Sequence, residues 1–401
     1  MDKGYLADST MEALILDAAL KTAMVGKIPI PSPASNEIVV LVDAVALNPV
    51  DALYVFNPLG KTGRVVGSDF AGTVQSLGLH VPSLDPHMRV GQRVAGFLQG
   101  ASSVNNKPGA FSEYLPIPYD LVWQVRDNMF LGDAAAVSLC ALTAAQCLYY
   151  RLGLPAPFSY EVSHKANTSS QHYLTVFIYS ASTSVGLYAA QLVRLSSMVS
   201  NTPIRMFGSA SPSHHPMLSS SPYEFAALVN YRDPDWPAQI HSLTSGQGVD
   251  FALDCISEGS SVAQVASVLA PHGKMAVVRS REGKAWEVEE GTLPSEPLYG
   301  AVWEGLGEET EYQNMTLPAS PRARQFAVSF YRFLSSSDEM PIQSNPIRLM
   351  PGGLNRIVPD GFALMGPGTM EQRDGDRTEE WMKPVSGEKL VYLLKAGEKS
   401  N

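Results

Sequence analysis

The apolar pattern along the chain changes period once. Glu12–Asp17 and Glu37–Val45 are dense in aliphatic and β-branched residues, and the run IVVLVDAVAL reads as strand. PIPSP between them is a turn-rich connector. The stretch RVVGSDFAGTVQSLG (Arg64–Gly78), then HMRVGQRVAGF and GAFSEYLPIP, predict more short strands broken by glycine. Many short strands with frequent Gly and Pro predict a compact β-barrel. Gly132–Leu152 is rich in Ala and Leu and predicts helix, which places a boundary near residue 153.

Beyond that boundary strands and helices alternate. YLTVFIY is strand and VGLYAAQLVRL helix; Pro203–Gly208 is a second strand. VDFALDCI and KMAVVRS flank the helical EGSSVAQVASVLA. This order predicts a parallel, doubly wound sheet, so the fold class is α/β. Ser209–Tyr223 reads as a Ser/Pro loop, and the chain turns acidic and irregular from Glu282. PRARQFAVSFYRFLSS predicts a helix and GEKLVYLLK a closing strand that returns to the first domain. The expected domains are 1–152 with 345–401, and 153–344, with a ligand cleft between them.

Composition narrows this picture. The 401 residues are 45% hydrophobic and 17% charged, enough apolar material for large cores. Acids outnumber bases by 39 to 29, which argues against a general nucleic-acid binder. Cys140, Cys147 and Cys255 cannot build a disulfide framework or a four-cysteine zinc site, and a reduced, cytoplasmic chain is expected. MDKGYLADST is not a secretory signal. Lys165–Arg194 holds no formal charge between its ends, and Tyr173–Val193 is long enough for a transmembrane helix. Its SASTS centre fits a strand, a turn and a helix better. The adjacent His214 and His215 make a poor chelate, so no metal is expected.

A strand running into YSASTSVG and a helix is the setting of a dinucleotide site, where helix N–H groups meet a diphosphate. Only Gly186 remains of the usual glycines, so a plain strand-to-helix turn stays open. Ser182, Thr183, Ser184 and Val185 are the candidate phosphate contacts. After the second strand, SASPSHH carries no acid to hold a ribose 2′-OH. Ser211, Pro212, Ser213 and His214 therefore favour NADPH over NADH, with an unliganded Ser/Pro loop as the alternative. Tyr231 and Arg232 could add a ring and a cation at the adenosine end.

In order, MEALIL, EIVVLVDAVALNPVDALY, VVGSDFAGTV, VGQRVAG, GAFSEY, YSASTSVGLYAAQLVRL, VNYRD, GVDFALDCI and GEKLVYLL resemble the medium-chain dehydrogenase/reductase superfamily, from residue 11 to 395. The zinc-free quinone oxidoreductase and enoyl reductase branch fits best. RLGLPAP and SASTSVG are most similar to the fungal trans-acting enoyl reductases of the lovastatin type. The resemblance implies a GroES-like barrel and a Rossmann domain. It also implies hydride transfer from NADPH to the β carbon of an enoyl thioester on a partner polyketide synthase or polyketide–peptide hybrid synthase. LNPVD and GSD stand where zinc-dependent relatives carry Cys and Gly-His-Glu, so alcohol oxidation by a metal route is not expected.

By the same resemblance Val50, Asp51, Ala52 and Leu53 line the nicotinamide side, with Val277, Val278 and the closing segment Ser386, Gly387, Glu388 and Lys389. Lys389 as an ordinary surface lysine is the alternative. Tyr54, Asp51 and Thr143 are the catalytic candidates; ring packing for Tyr54, turn structure for Asp51 and proton delivery by water stay open. Thr143, Ala144, Gln146, Cys147 and Tyr150, with Leu298, Tyr299, Gly300, Ala301 and Val302, are the candidate substrate walls, against plain core packing. TMEQRDGDRTEEWMKPV (369–385) is longer than in relatives and reads as a mobile, dispensable surface loop. A monomer is expected. A free-standing quinone or enone reductase, and a non-catalytic docking protein, are the competing functions.

Overall fold

The computed structural model describes residues 10–160, 173–289, 291–312, 315–336, 340–369 and 377–394. The strands are β1 (Thr10–Asp17), β2 (Thr22–Pro29), β3 (Glu37–Ala46), β4 (Asp69–Leu77), β5 (Arg93–Phe97), β6 (Tyr114–Pro118) and β7 (Val122–Gln124). They continue as β8 (Leu174–Tyr179), β9 (Ile204–Ser209), β10 (Ala227–Val229), β11 (Val249–Asp254), β12 (Leu269–Val277) and β13 (Leu298–Tyr299). The last are β14 (Thr310–Tyr312), β15 (Met315–Leu317), β16 (Ile347–Met350) and β17 (Lys389–Leu393).

A seven-stranded sheet runs β16-β17-β3-β4-β5-β7, with β6 also on β3. β17 lies antiparallel to β3, pairing Val391 with Ala46, so the closing strand does return to the first sheet. The second sheet is parallel throughout, in the order β10-β9-β8-β11-β12-β13. β8 and β11 sit side by side although β9 follows β8 in sequence. The strand order reverses there, and in such sheets ligands bind at the carboxyl ends beside that point.

Helix Ser184–Ser200 covers one face of the parallel sheet and meets helix Ser138–Ala145. The other face is a core of Phe177, Phe207, Trp236, Ile240, Val262 and Val265, where Trp236 stacks on Phe177 at 5.3 Å. This division explains why YLTVFIY is apolar on both faces.

β2 was not visible in the sequence. It pairs with all of β1, yet Ala23 is its only buried residue, so no apolar alternation marks it. The expected loop Ser209–Tyr223 contains a short 3-10 turn (Pro212–His214) and a helical turn (His215–Leu218). Residues 161–172 and 370–376 lie outside the described residues. The rest of the 369–385 segment is not a plain surface loop. Met382 is fully buried, the Trp381 indole donates to Asp360 Oδ2 at 3.3 Å, and Arg348 donates to the Trp381 carbonyl at 3.0 Å. Among the described residues no helix is long and apolar enough to cross a membrane.

Candidate active site

Asn48 caps the helix Pro49–Phe56, and Pro49 needs no hydrogen bond at its first position. The Asn48 N–H donates to Asp51 Oδ2 at 2.8 Å. Gly67, at φ +96, turns the chain so that Ser68 and Asp69 reach the same point from β4. Ser68 Oγ donates to Asp51 Oδ1 at 2.8 Å, and Asn48 Nδ2 donates to Ser68 Oγ and Asp69 Oδ2, each at 2.9 Å. Lys389 Nζ completes the cluster, 2.5 Å from Asp69 Oδ2. The Leu139 N–H donates to Asp69 Oδ1 at 2.9 Å, and Cys140 Sγ lies 3.3 Å from Asn48 Oδ1.

Thus LNPVD, GSD, the Ala-rich helix and the closing strand converge on one buried polar cluster. Its electrostatics follow from burial. Desolvation pushes the Asp51 carboxyl up to about 7, against the hydrogen bonds from Asn48 and Ser68. Burial pulls the Lys389 ammonium down, but the Asp69 charge outweighs it and the net direction is upward. Burial raises the Cys140 thiol. Lys389 is only 2% exposed, so it is no surface lysine, and its charge faces Asp69. Among the described residues no group of three His, Cys, Asp or Glu side chains could hold a metal ion. Ser68, Asp69 and Cys140 were not picked out as site residues; the signal was a charged residue inside the apolar run VVGSDFAGTV.

Tyr54 stands on the same helix, buried between Trp303 (6.2 Å, 30°) and Tyr312 (6.3 Å, 77°). Gln99 Nε2 donates to Tyr54 Oη at 2.9 Å and to the Glu311 carbonyl at 2.8 Å. Burial holds the Tyr54 phenol well above its usual range, so it keeps its proton. Thr143 is also buried, and its hydroxyl donates to the Leu139 carbonyl at 2.8 Å.

The two candidate walls meet at one place. A Cβ on Gly300 would lie 2.3 Å from Cys147 Sγ, so any larger residue there would have to displace that thiol. Arg151 Nε donates to the Tyr299 carbonyl at 2.7 Å. Ala144, Gln146, Cys147, Ala301 and Val302 are buried, Tyr150 packs on Phe326 at 5.3 Å, and Leu298 is 36% exposed. Burial pushes the Cys147 thiol up to about 12.

At the carboxyl end of β8, Thr183 caps the helix Ser184–Ser200, accepting from the Gly186 N–H at 3.1 Å. A Cβ on Gly186 would stand 2.7 Å from the Ala181 carbonyl, so glycine is required for this close turn. Ser182, Thr183, Ser184 and Val185 remain partly exposed at that helix start. At the end of β9, Arg232 donates to Ser211 Oγ at 2.8 Å while its guanidinium lies 4.5 Å from the Tyr231 ring centre. His214 Nε2 lies 2.8 Å from Ser386 Oγ, and Gly387 at φ +69 turns beside that imidazole. Glu388 pairs with Arg348. The Val278 N–H donates to Ser257 Oγ at 3.0 Å, and the Gly300 N–H donates to the Val277 carbonyl at 2.9 Å. Val50 and Leu53 are partly buried and Ala52 fully. Residues from the ends of β8, β9 and β12 and from the closing segment therefore gather along one edge of the parallel sheet.

Two family sequence models match the chain: the alcohol dehydrogenase GroES-like domain over residues 34–127 and the zinc-binding dehydrogenase family over residues 218–297. Among characterised relatives, the trans-enoyl reductase ACTTS2 of Alternaria alternata is 28% identical, over 96% of this chain and 99% of that protein. The trans-enoyl reductase traG of Penicillium crustosum is 29% identical, over 95% and 96%. The solved CurK enoyl reductase superposes with a TM-score of 0.68 at 18% identity, covering 96% of this chain and 99% of that one. JamJ enoyl reductase superposes at 0.64 and 16%, covering 96% and 100%.

Proposed function

We infer, for a member of the medium-chain dehydrogenase/reductase superfamily most like the fungal trans-acting enoyl reductases, an NADPH-dependent reduction of the carbon–carbon double bond of an enoyl thioester. The thioester is carried by a partner polyketide synthase or polyketide–peptide hybrid synthase in secondary-metabolite biosynthesis. The observation that carries the cofactor choice is the end of β9, where Ser211 and Arg232 offer hydrogen-bond donors and positive charge in place of a carboxylate. These groups fit a 2′-phosphate, which an acid would repel. The partly exposed start of helix Ser184–Ser200 supplies N–H groups and hydroxyls for the diphosphate.

NADPH supplies the hydride when bound, through its nicotinamide. The chain's own part is to hold the thioester and manage a proton. Reduction builds negative charge on the carbonyl oxygen and requires a proton at the α carbon. Among the catalytic candidates, Asp51 has both oxygens engaged by Asn48 and Ser68, and the Thr143 proton is directed at Leu139. Tyr54 instead accepts from Gln99, and among the described residues nothing accepts its own O–H, so that proton is available for the α carbon. Tyr54 is the proposed donor, with Asp51 and Thr143 as positioning residues. Val50, Ala52 and Leu53, beside Val277 and Val278, are the proposed surroundings of the nicotinamide. Gly300 and Cys147 mark the junction of the proposed acyl walls.

The protein is proposed to act in the cytoplasm as a monomer. The edge strand β13 has two residues and is followed by Gly300, which gives a second copy little ladder to extend. The reading is tested by NADPH oxidation with an enoyl-pantetheine thioester, alone and with the partner synthase. Turnover of a small quinone with none on thioesters would favour a free-standing quinone reductase instead.

A further inference from the structure

Gln146 is 1% exposed, and neither its Nε2 nor its Oε1 has a hydrogen-bond partner among the described residues. Buried amides are ordinarily paired, and an orphan pair on one side chain needs an explanation. Its surroundings are apolar: a Cβ built on Gly305 would lie 3.7 Å from Nε2, 3.1 Å from Leu142 Cδ2 and 3.2 Å from Ala327 Cβ. Glycine at 305 lets Leu142 and Ala327 pack closely beside the amide, where a Cβ would crowd both. Gln146 also opens the π-helix Gln146–Arg151, a rare form that is frequent at functional sites. The neighbouring Cys147 touches Gly300, and Thr143 lies one turn earlier on the same helix. The orphan amide thus stands on the wall argued above to border the acyl chain.

We propose that Gln146 is a specificity-determining residue that reads a group able both to donate and to accept a hydrogen bond on the bound thioester. Nε2 donates to the oxygen of that group, and Oε1 accepts from its O–H or N–H. Two parts of the substrate carry this chemistry: a hydroxyl on the acyl chain, and an amide of the pantetheine arm. The inference rests on the enoyl reductase reading.

The experiment compares the wild type with Gln146→Leu and Gln146→Met on three probes with NADPH. These are an unsubstituted enoyl-pantetheine thioester, the same chain bearing a hydroxyl, and an enoyl thioester of a plain alkanethiol. Both variants remove the orphan polar atoms, so their Tm is expected to equal or exceed that of the wild type, which separates specificity from misfolding. The expected result is a loss in kcat/KM of about tenfold or more, confined to probes that carry the partner group. Loss on the hydroxylated chain alone assigns the acyl hydroxyl. Loss on both pantetheine thioesters, with the alkanethiol probe spared, assigns the arm. An equal loss on all three probes, or none, overturns the proposal. If the wild type reduces no thioester, the enoyl reductase reading fails first and this one with it.

Discussion

Lys389 Nζ lies 2.5 Å from Asp69 Oδ2, although 320 residues separate them and both are buried. The pair ties the closing strand to β4 and, through Asn48, to the helix that carries Tyr54. Removing one charge leaves the other buried and uncompensated, so Lys389→Met is predicted to cost about 3–5 kcal/mol. Combining it with Asp69→Asn should recover part of that loss. Chemical denaturation of the single and double variants measures both. A double variant no better than the single one would contradict the pairing.

Asp51 gives the cluster a pH dependence. Its carboxyl is pushed up to about 7 in the folded chain, from 3.8 as a free side chain, chiefly by burial. The folded state therefore holds this proton more tightly than the unfolded state. Its stabilising contribution is complete below about pH 4 and is lost as pH rises through about 7. Asp51→Asn removes the titration. The variant should gain stability relative to the wild type between pH 5 and pH 8, by roughly a few kcal/mol at most. A constant difference across that window, by urea denaturation, would contradict it.

The proposed preference for NADPH rests on Arg232 and Ser211. Arg232→Ala should raise the KM for NADPH about tenfold and leave that for NADH within a small factor. Ser211→Asp should weaken NADPH further, by placing a carboxylate against the 2′-phosphate. Steady-state kinetics with both cofactors decide it, and equal effects on the two would remove this assignment.

Tyr54 is predicted to act through its hydroxyl. Tyr54→Phe keeps the ring between Trp303 and Tyr312 and removes only the hydroxyl proposed as proton donor. The expected fall in kcat is about tenfold or more, with the KM for NADPH unchanged. An unchanged kcat would assign proton delivery to water and leave Tyr54 as a packing residue.

Much of the fold was legible because periodicity is local. β3, β8, helix Ser184–Ser200 and β17 each carry a mostly apolar pattern. β2 was hidden because it is nearly all outside the core, and β7 because three residues make no period. The site was less legible for a different reason. In sequence LNPVD and GSD were read for the metal ligands they lack, and LNPVD also, by resemblance, for the nicotinamide side and a catalytic candidate. Their contact with each other, and with a lysine at the far end of the chain, is set by the pairing of β17 with β3. Likewise nothing in ALTAAQCLYY distinguishes an orphaned glutamine from one that is bonded. Arg232 was readable as a cation near the adenosine end, but its bond to Ser211 needed the turn after β9.

The central claim is that this chain uses NADPH to reduce an enoyl thioester. It is tested most directly by following NADPH oxidation with an enoyl-pantetheine thioester, and by mass analysis of the product. The account predicts a saturated thioester formed in step with NADPH consumed, faster when the partner synthase presents the chain. No oxidation of NADPH on any enoyl thioester, with or without the synthase, would contradict it.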